Sequence, residues 1–179
     1  MDEKVKINFS LEQLAISHAR ELYDLTIANR DYLREWLPWL DSMTSCTDTI
    51  NFIESTTREL EKLGAPHFAV FHEGAICGVA GFHQINSQHR TGSIGYWLAE
   101  SYVGKGIITS AVKDLLKIGF GELNLNRIEI RCAENNSRSR AIPERLGFTY
   151  EATLRECEWL YSQFVNHAIY SMLASDYKA

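Results

Sequence analysis

The sequence predicts an α+β fold, a mixed sheet flanked by helices, on three observations. Two short apolar runs, 67–72 and 75–83, are joined by Glu73-Gly74, a pair whose turn chemistry makes an antiparallel hairpin. The β-branched and aromatic run Ser93-Ile94-Gly95-Tyr96-Trp97-Leu98 leads through two glycines into an amphipathic helix, with Ile108, Ala111, Val112, Leu115 and Gly119 at helical spacing. A further strand, Ile128-Glu129-Ile130-Arg131-Cys132, follows that helix. Antiparallel strands therefore come first and a strand–helix–strand unit comes late.

The remaining elements follow in order. Residues 5–9 read as an opening strand, and Ile16, Ala19, Leu22, Tyr23 and Ile27 mark a helix with Ser17 as a candidate cap. Residues 31–37 form a short helical turn ended by Pro38. Asp48 is the candidate cap of a third helix carrying Ile50, Ile53, Thr57, Leu60 and Leu63, stopped by Gly64 and Pro66. After the strand at 128–132, Asn136 and Ser137 open a short helix that Gly147 stops, and residues 148–154 and 165–172 close the sheet.

A chain of 179 residues with 45 % apolar residues and a net charge of −5 can bury the core of one compact domain, and we expect one domain over 1–179. There is no apolar run of membrane-spanning length and no signal-peptide pattern, which points to the cytosol. Cys46, Cys77, Cys132 and Cys157 lack metal-ligand or disulfide spacing, so no metal is expected. The acidic balance argues against direct nucleic-acid binding.

The junction Tyr102-Val103-Gly104-Lys105-Gly106-Ile107-Ile108-Thr109 has the makings of an anion site. Its glycines bring a ligand close to bare amides at the positive end of the helix dipole, which suits a phosphate or pyrophosphate, and Lys105 adds a cation. Downstream stands Ala133-Glu134-Asn135-Asn136-Ser137-Arg138-Ser139, ending in Leu146-Gly147-Phe148. This order of phosphate turn, helix, strand, Asn-x-x-Ser, short helix and Leu-Gly-Phe resembles the GNAT N-acetyltransferases. Trp36-Leu37-Pro38-Trp39, Ile94–Leu98 and the Gly-Lys-Gly-Ile turn are similar to the Rim-type branch, which acetylates N-terminal α-amines of ribosomal proteins. The turn departs from the family's Gln/Arg-x-x-Gly-x-Gly/Ala, with Val103 at the first position and Ile108 at the last. Most phosphate contacts in such a turn come from backbone amides, which survive substitution.

The resemblance implies a mostly antiparallel sheet with a splayed strand pair holding acetyl-CoA as co-substrate. It also implies a ribosomal-protein amine as partner and, by analogy, a homodimer. The coenzyme would lie on Trp97, Leu98, residues Val103, Gly104, Lys105, Gly106, Ile107, Ile108 and Thr109, and on Asn136 and Ser139. A bulge in the strand ending near Leu98, for which Gly95 is suited, would expose amides of Trp97, Leu98 or Glu100 to the oxyanion.

Acetyl transfer from a thioester to an amine needs positioning, oxyanion stabilisation, a base for the ammonium and an acid for the thiolate. Ser139, in the matched Asn136-x-x-Ser139, is implied as the acid; its plain alternative is a helix-start cap. Glu158, in Glu-Trp-Leu-Tyr, is implied as the base, with Glu156 in reserve. On an extended strand the two glutamates share a face with Leu160, and apolar neighbours would tune a carboxylate there toward basicity. Cys132 reads as a small buried residue, His83 as a candidate lining of the groove, and Trp36 and Trp39 as loop anchors bordering it. Two rivals stand beside the N-terminal acetyltransferase. One changes the acceptor to a small amine such as a polyamine, amino acid or antibiotic; the other is a non-catalytic acyl-CoA sensor.

Overall fold

In the computed structural model, which describes residues 7–178, a seven-stranded sheet runs in the order β1-β2-β3-β4-β5-β7-β6. The strands are β1 (Phe9–Gln13), β2 (His67–His72), β3 (Ala75–Asn86), β4 (Thr91–Leu98), β5 (Arg127–Ala133), β6 (Thr149–Leu160) and β7 (Gln163–Leu173). Only β4 and β5 pair in parallel, joined by a crossover through α4 (Ile107–Lys117). The other helices are α1 (Ala19–Ala28), α2 (Arg30–Arg34), α3 (Cys46–Leu63) and α5 (Ser137–Leu146). The mixed, mostly antiparallel sheet flanked by helices is the expected architecture.

Alternation along the strands divides the core into two layers. Val70, Cys77, Ala80, Phe82, Ile94, Ile128, Ile130 and Tyr170 pack with Ile107, Ala111, Val112 and Leu115 of α4 on one face. Ala69, Ile76 and Val79 pack with Ala19 and Leu22 of α1 and Ile53 of α3 on the other. Among the described residues, no helix is long and apolar enough to cross a membrane.

Several local expectations need correcting. The opening strand begins at Phe9 rather than before it, because its ladder with β2 runs from Phe9↔His72 to Gln13↔Phe68; Val5 and Lys6 lie outside the described residues. Ser17 does not cap α1: it lies inside a 3₁₀ turn, Ile16–His18, whose start is closed by His18 Nδ1 accepting the Ala15 N–H at 3.2 Å. Asp48 is not the cap of α3 but its third residue. Its carboxylate reaches back to accept the N–H groups of Ser45 (2.8 Å) and Thr44 (2.9 Å), with Ser45 as the cap. Pro38 opens a second 3₁₀ turn, Pro38–Ser42, after α2 has ended.

Candidate active site

The site grows from a break in the sheet. β4 and β5 pair from Thr91↔Arg127 to Ile94↔Ile130 and no further. Beyond that point β4 continues to Leu98 against β3, and β5 to Ala133 against β7. The two strands diverge, which gives β4 an open edge. Ala99 donates its N–H to Cys77 O on the β3 side, so alternation along β4 turns the Trp97 N–H toward β3 and the Tyr96 and Leu98 N–H groups toward the open edge. Of the three amides named for the oxyanion, Leu98 alone has this exposure. The Glu100 N–H is already donated to Asn29 Oδ1 at 3.0 Å.

The irregularity beside the break is in β3, not in the strand ending at Leu98. Phe82 faces Ile94 and Gln84 faces Ser93, which leaves His83 as the extra residue. Gly95 serves this bulge from across the ladder: a Cβ there would fall 1.7 Å from His83 Nε2. The glycine makes room for an imidazole.

The divergence opens a cavity of about 390 Å³. Trp36 and Leu37, from the segment after α2, line one side, and Asn136 and Ser139, at the start of α5, line the other. His83, Gly95 and Tyr96 reach it from the β3–β4 side, and Cys132, Glu158 and His167 from β5, β6 and β7. Ser139 and Glu158 thus line the same cavity. Trp39 and Glu156 do not line the cavity.

Asn136 caps α5, its side-chain oxygen accepting the Ser139 N–H at 3.0 Å. The Tyr96 phenol donates to the Ser139 carbonyl at 3.0 Å, which pins the start of α5 to β4; burial pushes this phenol well up. Burial also pushes the Cys132 thiol up, against an opposing bond from Ser139, which disfavours the nucleophilic thiolate.

Glu158 departs from the plain alternation. Leu154 faces His167 and Glu158 faces Val165, so three residues of β6 stand opposite Asn166 alone. Glu156 takes a positive φ of 49° in this bulge, and its N–H goes to Asn166 Oδ1 at 2.9 Å. A two-residue excess preserves facing parity, and Glu158 occupies the ladder position Glu156 would hold in a regular hairpin. Its neighbour is not the apolar surround expected from sequence but an imidazole: His167 Nε2 lies 2.7 Å from Glu158 Oε2.

The turn read from sequence as an anion site lies at the start of α4, following the end of β4. Gly104 and Gly106 have φ of 82° and 77°, and Gly106 caps the helix. The Ile107 and Ile108 side chains are buried in the core, so their amides are what a ligand can meet. Thr109 Oγ1 accepts from Arg145 Nη1 at 3.1 Å, and Lys105 Nζ sits 5.0 Å from the Tyr102 ring centroid. Among the described residues, no group of three or more His, Cys, Asp or Glu is placed to hold a metal ion.

Sequence reasoning missed His167 and a contact between the β6–β7 hairpin and the end of α2. The Tyr161 phenol, between β6 and β7, donates to the Arg34 carbonyl. The Arg34 guanidinium lies 4.3 Å from the Tyr161 ring centroid and is itself held by Asp41 at 2.5 and 2.8 Å. The tie spans from the β6–β7 turn to the segment bearing Trp36 and Leu37.

Comparison with known proteins agrees with this geometry. Residues 8–149 match the family model described as an acetyltransferase (GNAT) domain. The chain is 33 % identical to YdaF of Bacillus subtilis (strain 168), covering 98 % of this chain and 96 % of the relative. It is 31 % identical to the ribosomal-protein-serine acetyltransferase of Escherichia coli (strain K12), covering 97 % of this chain and 98 % of the relative. Among solved structures, RimL, a ribosomal L7/L12 alpha-N-protein acetyltransferase in complex with coenzyme A, superposes with a TM-score of 0.89 at 26 % identity. That match covers 94 % of this chain and 96 % of the other. With most of its length matched by the family model and by full-length relatives, the chain belongs to the GNAT N-acetyltransferases.

Proposed function

We propose that this enzyme transfers the acetyl group of acetyl-CoA to the N-terminal α-amine of a ribosomal protein beginning with Ser or Ala, by direct attack in a ternary complex. The observation that carries this reading is the convergence of Ser139 and Glu158 in one cavity at the end of an open β4 edge. Pantetheine would add to that edge like a strand, with the Leu98 N–H facing the thioester oxygen. The pyrophosphate would lie on the amides of residues 104–109 beside Lys105. Asn136 has its side-chain oxygen committed to the α5 cap, so its contact to the pantetheine arm would come from its amide nitrogen.

In the reaction Glu158 takes a proton from the bound ammonium. The freed amine attacks the thioester carbon; as the C–S bond breaks, Ser139 Oγ gives its proton to the departing thiolate and is reprotonated by the second proton that the attacking nitrogen sheds. Among the described residues, Glu158 is the single carboxylate lining the cavity, which favours a monoamine terminus over a polyamine carrying several cationic centres. The E. coli relative is named for a ribosomal-protein serine, which supports the choice of acceptor. A ribosomal acceptor entails a cytosolic reaction.

The test is thiol release from acetyl-CoA with short peptides beginning with Ser, Ala or Met, beside the same peptides blocked at the α-amine. Release with free termini alone is expected. No release from either pool, with turnover of spermidine instead, would overturn the choice of acceptor.

A further inference from the structure

We propose that His167 is the partner through which Glu158 works: the two form a carboxylate–imidazole pair that together receives the proton of the incoming ammonium. This rests on the reading of Glu158 as the base. His167 is a positioning and proton-holding residue, acting through Glu158.

The geometry is specific. Glu158 and His167 are not cross-strand partners, since their own partners are Val165 and Leu154. They are diagonal neighbours on one face, brought together by the two-residue excess in β6. That bulge is itself braced: Asn166 accepts the Glu156 N–H at 2.9 Å, and its amide nitrogen donates to Glu134 Oε2 at 2.9 Å. A distorted hairpin with a residue at positive φ costs free energy, and here it sets a carboxylate 2.7 Å from an imidazole at the cavity wall.

The chemistry gives the pair a purpose. A lone carboxylate is a weak acceptor for an α-ammonium, because carboxylates titrate roughly four units below α-amines, whereas imidazoles lie about two units closer. With the His167 ring as its Nδ1–H tautomer, Nε2 turns its lone pair to Glu158 Oε2 at 2.7 Å, and a proton delivered to Oε2 lies in the contact between carboxylate and ring. The N–H bond of the ammonium breaks, one proton is added to the pair, and no other co-reactant is needed. His167 keeps 22 % of its side chain exposed, which gives that proton a route to solvent after turnover. The other ionisable groups lining the cavity are His83 from β3, Tyr96 from β4, and Arg131 and Cys132 from β5. The α2 segment and α5 contribute none to the lining.

The experiment compares the pH dependence of kcat/KM for wild type, His167→Gln and Glu158→Gln with a Ser-initiated peptide, alongside the KM for acetyl-CoA and the melting temperature. His167→Gln retains a hydrogen-bond donor but cannot hold the proton. It should lose about ten- to a hundredfold in kcat, move the acid limb to lower pH, and keep the acetyl-CoA KM. A second readout needs no turnover: the ring-nitrogen NMR shifts of His167 should change in Glu158→Gln, because the carboxylate 2.7 Å from Nε2 is replaced by an amide. Wild-type kcat and pH profile in His167→Gln, or unchanged His167 ring-nitrogen shifts in Glu158→Gln, would overturn the pair. Full activity in Glu158→Gln would instead overturn the reading of Glu158 as the base.

Discussion

The two halves of the sheet are built differently. The half from β1 to β4 has apolar layers on both faces, with α1 and α3 on one and α4 on the other. The half made by β5, β7 and β6 is apolar toward α4 and α5, through Ile128, Ile130, Ala168, Tyr170 and Met172. Its opposite face is charged. There Arg127 bridges Glu129 and Glu151, Arg131 adds to Glu129, and Ser171 donates to Glu151 at 2.7 Å. Arg127 and Ser171 hold the Glu151 carboxyl down at about 2. The first half supplies a platform packed on both faces, with His83 and Tyr96 at the cavity; the second supplies Glu158, His167 and Cys132. The cavity forms at the seam, where neither half completes the other's hydrogen-bond ladder.

This contrast can be broken by matched deletions. Ile53→Ala, in the layer between α1, α3 and the sheet, removes a fully buried side chain and should cost about 2–5 kcal/mol in denaturant unfolding. Glu151→Gln, on the charged face, should cost at most about 1 kcal/mol, because a solvent-screened ion pair contributes little. Equal costs would show that the charged face is as structural as the apolar one.

The platform half also carries an acid weakness. His67 is buried, its Nδ1 has no hydrogen-bond partner, and burial with the neighbouring His83 pulls it down to about 4. The unfolded chain binds this proton below about pH 6.5 while the folded chain does not until about 4, so stability falls as pH falls through that window. The loss reaches about 3 kcal/mol by linkage. His67→Leu should flatten melting temperature against pH between those values. An unchanged slope would mean that the carboxylates alone set it.

The smallest effect expected is at the tie between the β6–β7 turn and the segment bearing Trp36 and Leu37. Tyr161→Phe removes the bond to the Arg34 carbonyl and keeps the ring under the guanidinium. It should raise the KM for peptide a few-fold, a loss of about 1 kcal/mol, with the KM for acetyl-CoA unchanged. An equal rise in both would show that the tie supports the whole fold rather than the acceptor wall.

The sequence revealed what local chemistry dictates. Glu73-Gly74 takes positive φ at both residues, as its hairpin requires, and Gly64, Gly106 and Gly147 mark helix ends in the left-handed region. Asn136 and Ser139 were legible through the Asn-x-x-Ser of the resemblance, and the structure accounts for that spacing: the Asn136 side chain accepts the Ser139 N–H. The hidden parts are set by pairing between distant segments. The bulge at residues 155–157 leaves strand alternation intact on either side, so periodicity shows no trace of it and does not separate Glu156 from Glu158. His167 gains meaning only beside Glu158, nine positions away across that bulge. Similarly, Gly95 reads as a bulge from its own strand, whereas the reason for it is His83 on the neighbouring one.

The central claim is that the bulge selects Glu158 and sets Glu156 aside. The most direct measurement is single-turnover acetylation of a Ser-initiated peptide by Glu158→Gln and Glu156→Gln, at saturating acetyl-CoA and equal melting temperature. Glu158→Gln should slow the step by about 10²- to 10⁴-fold and Glu156→Gln should match wild type. Loss in Glu156→Gln with Glu158→Gln unaffected would contradict the account.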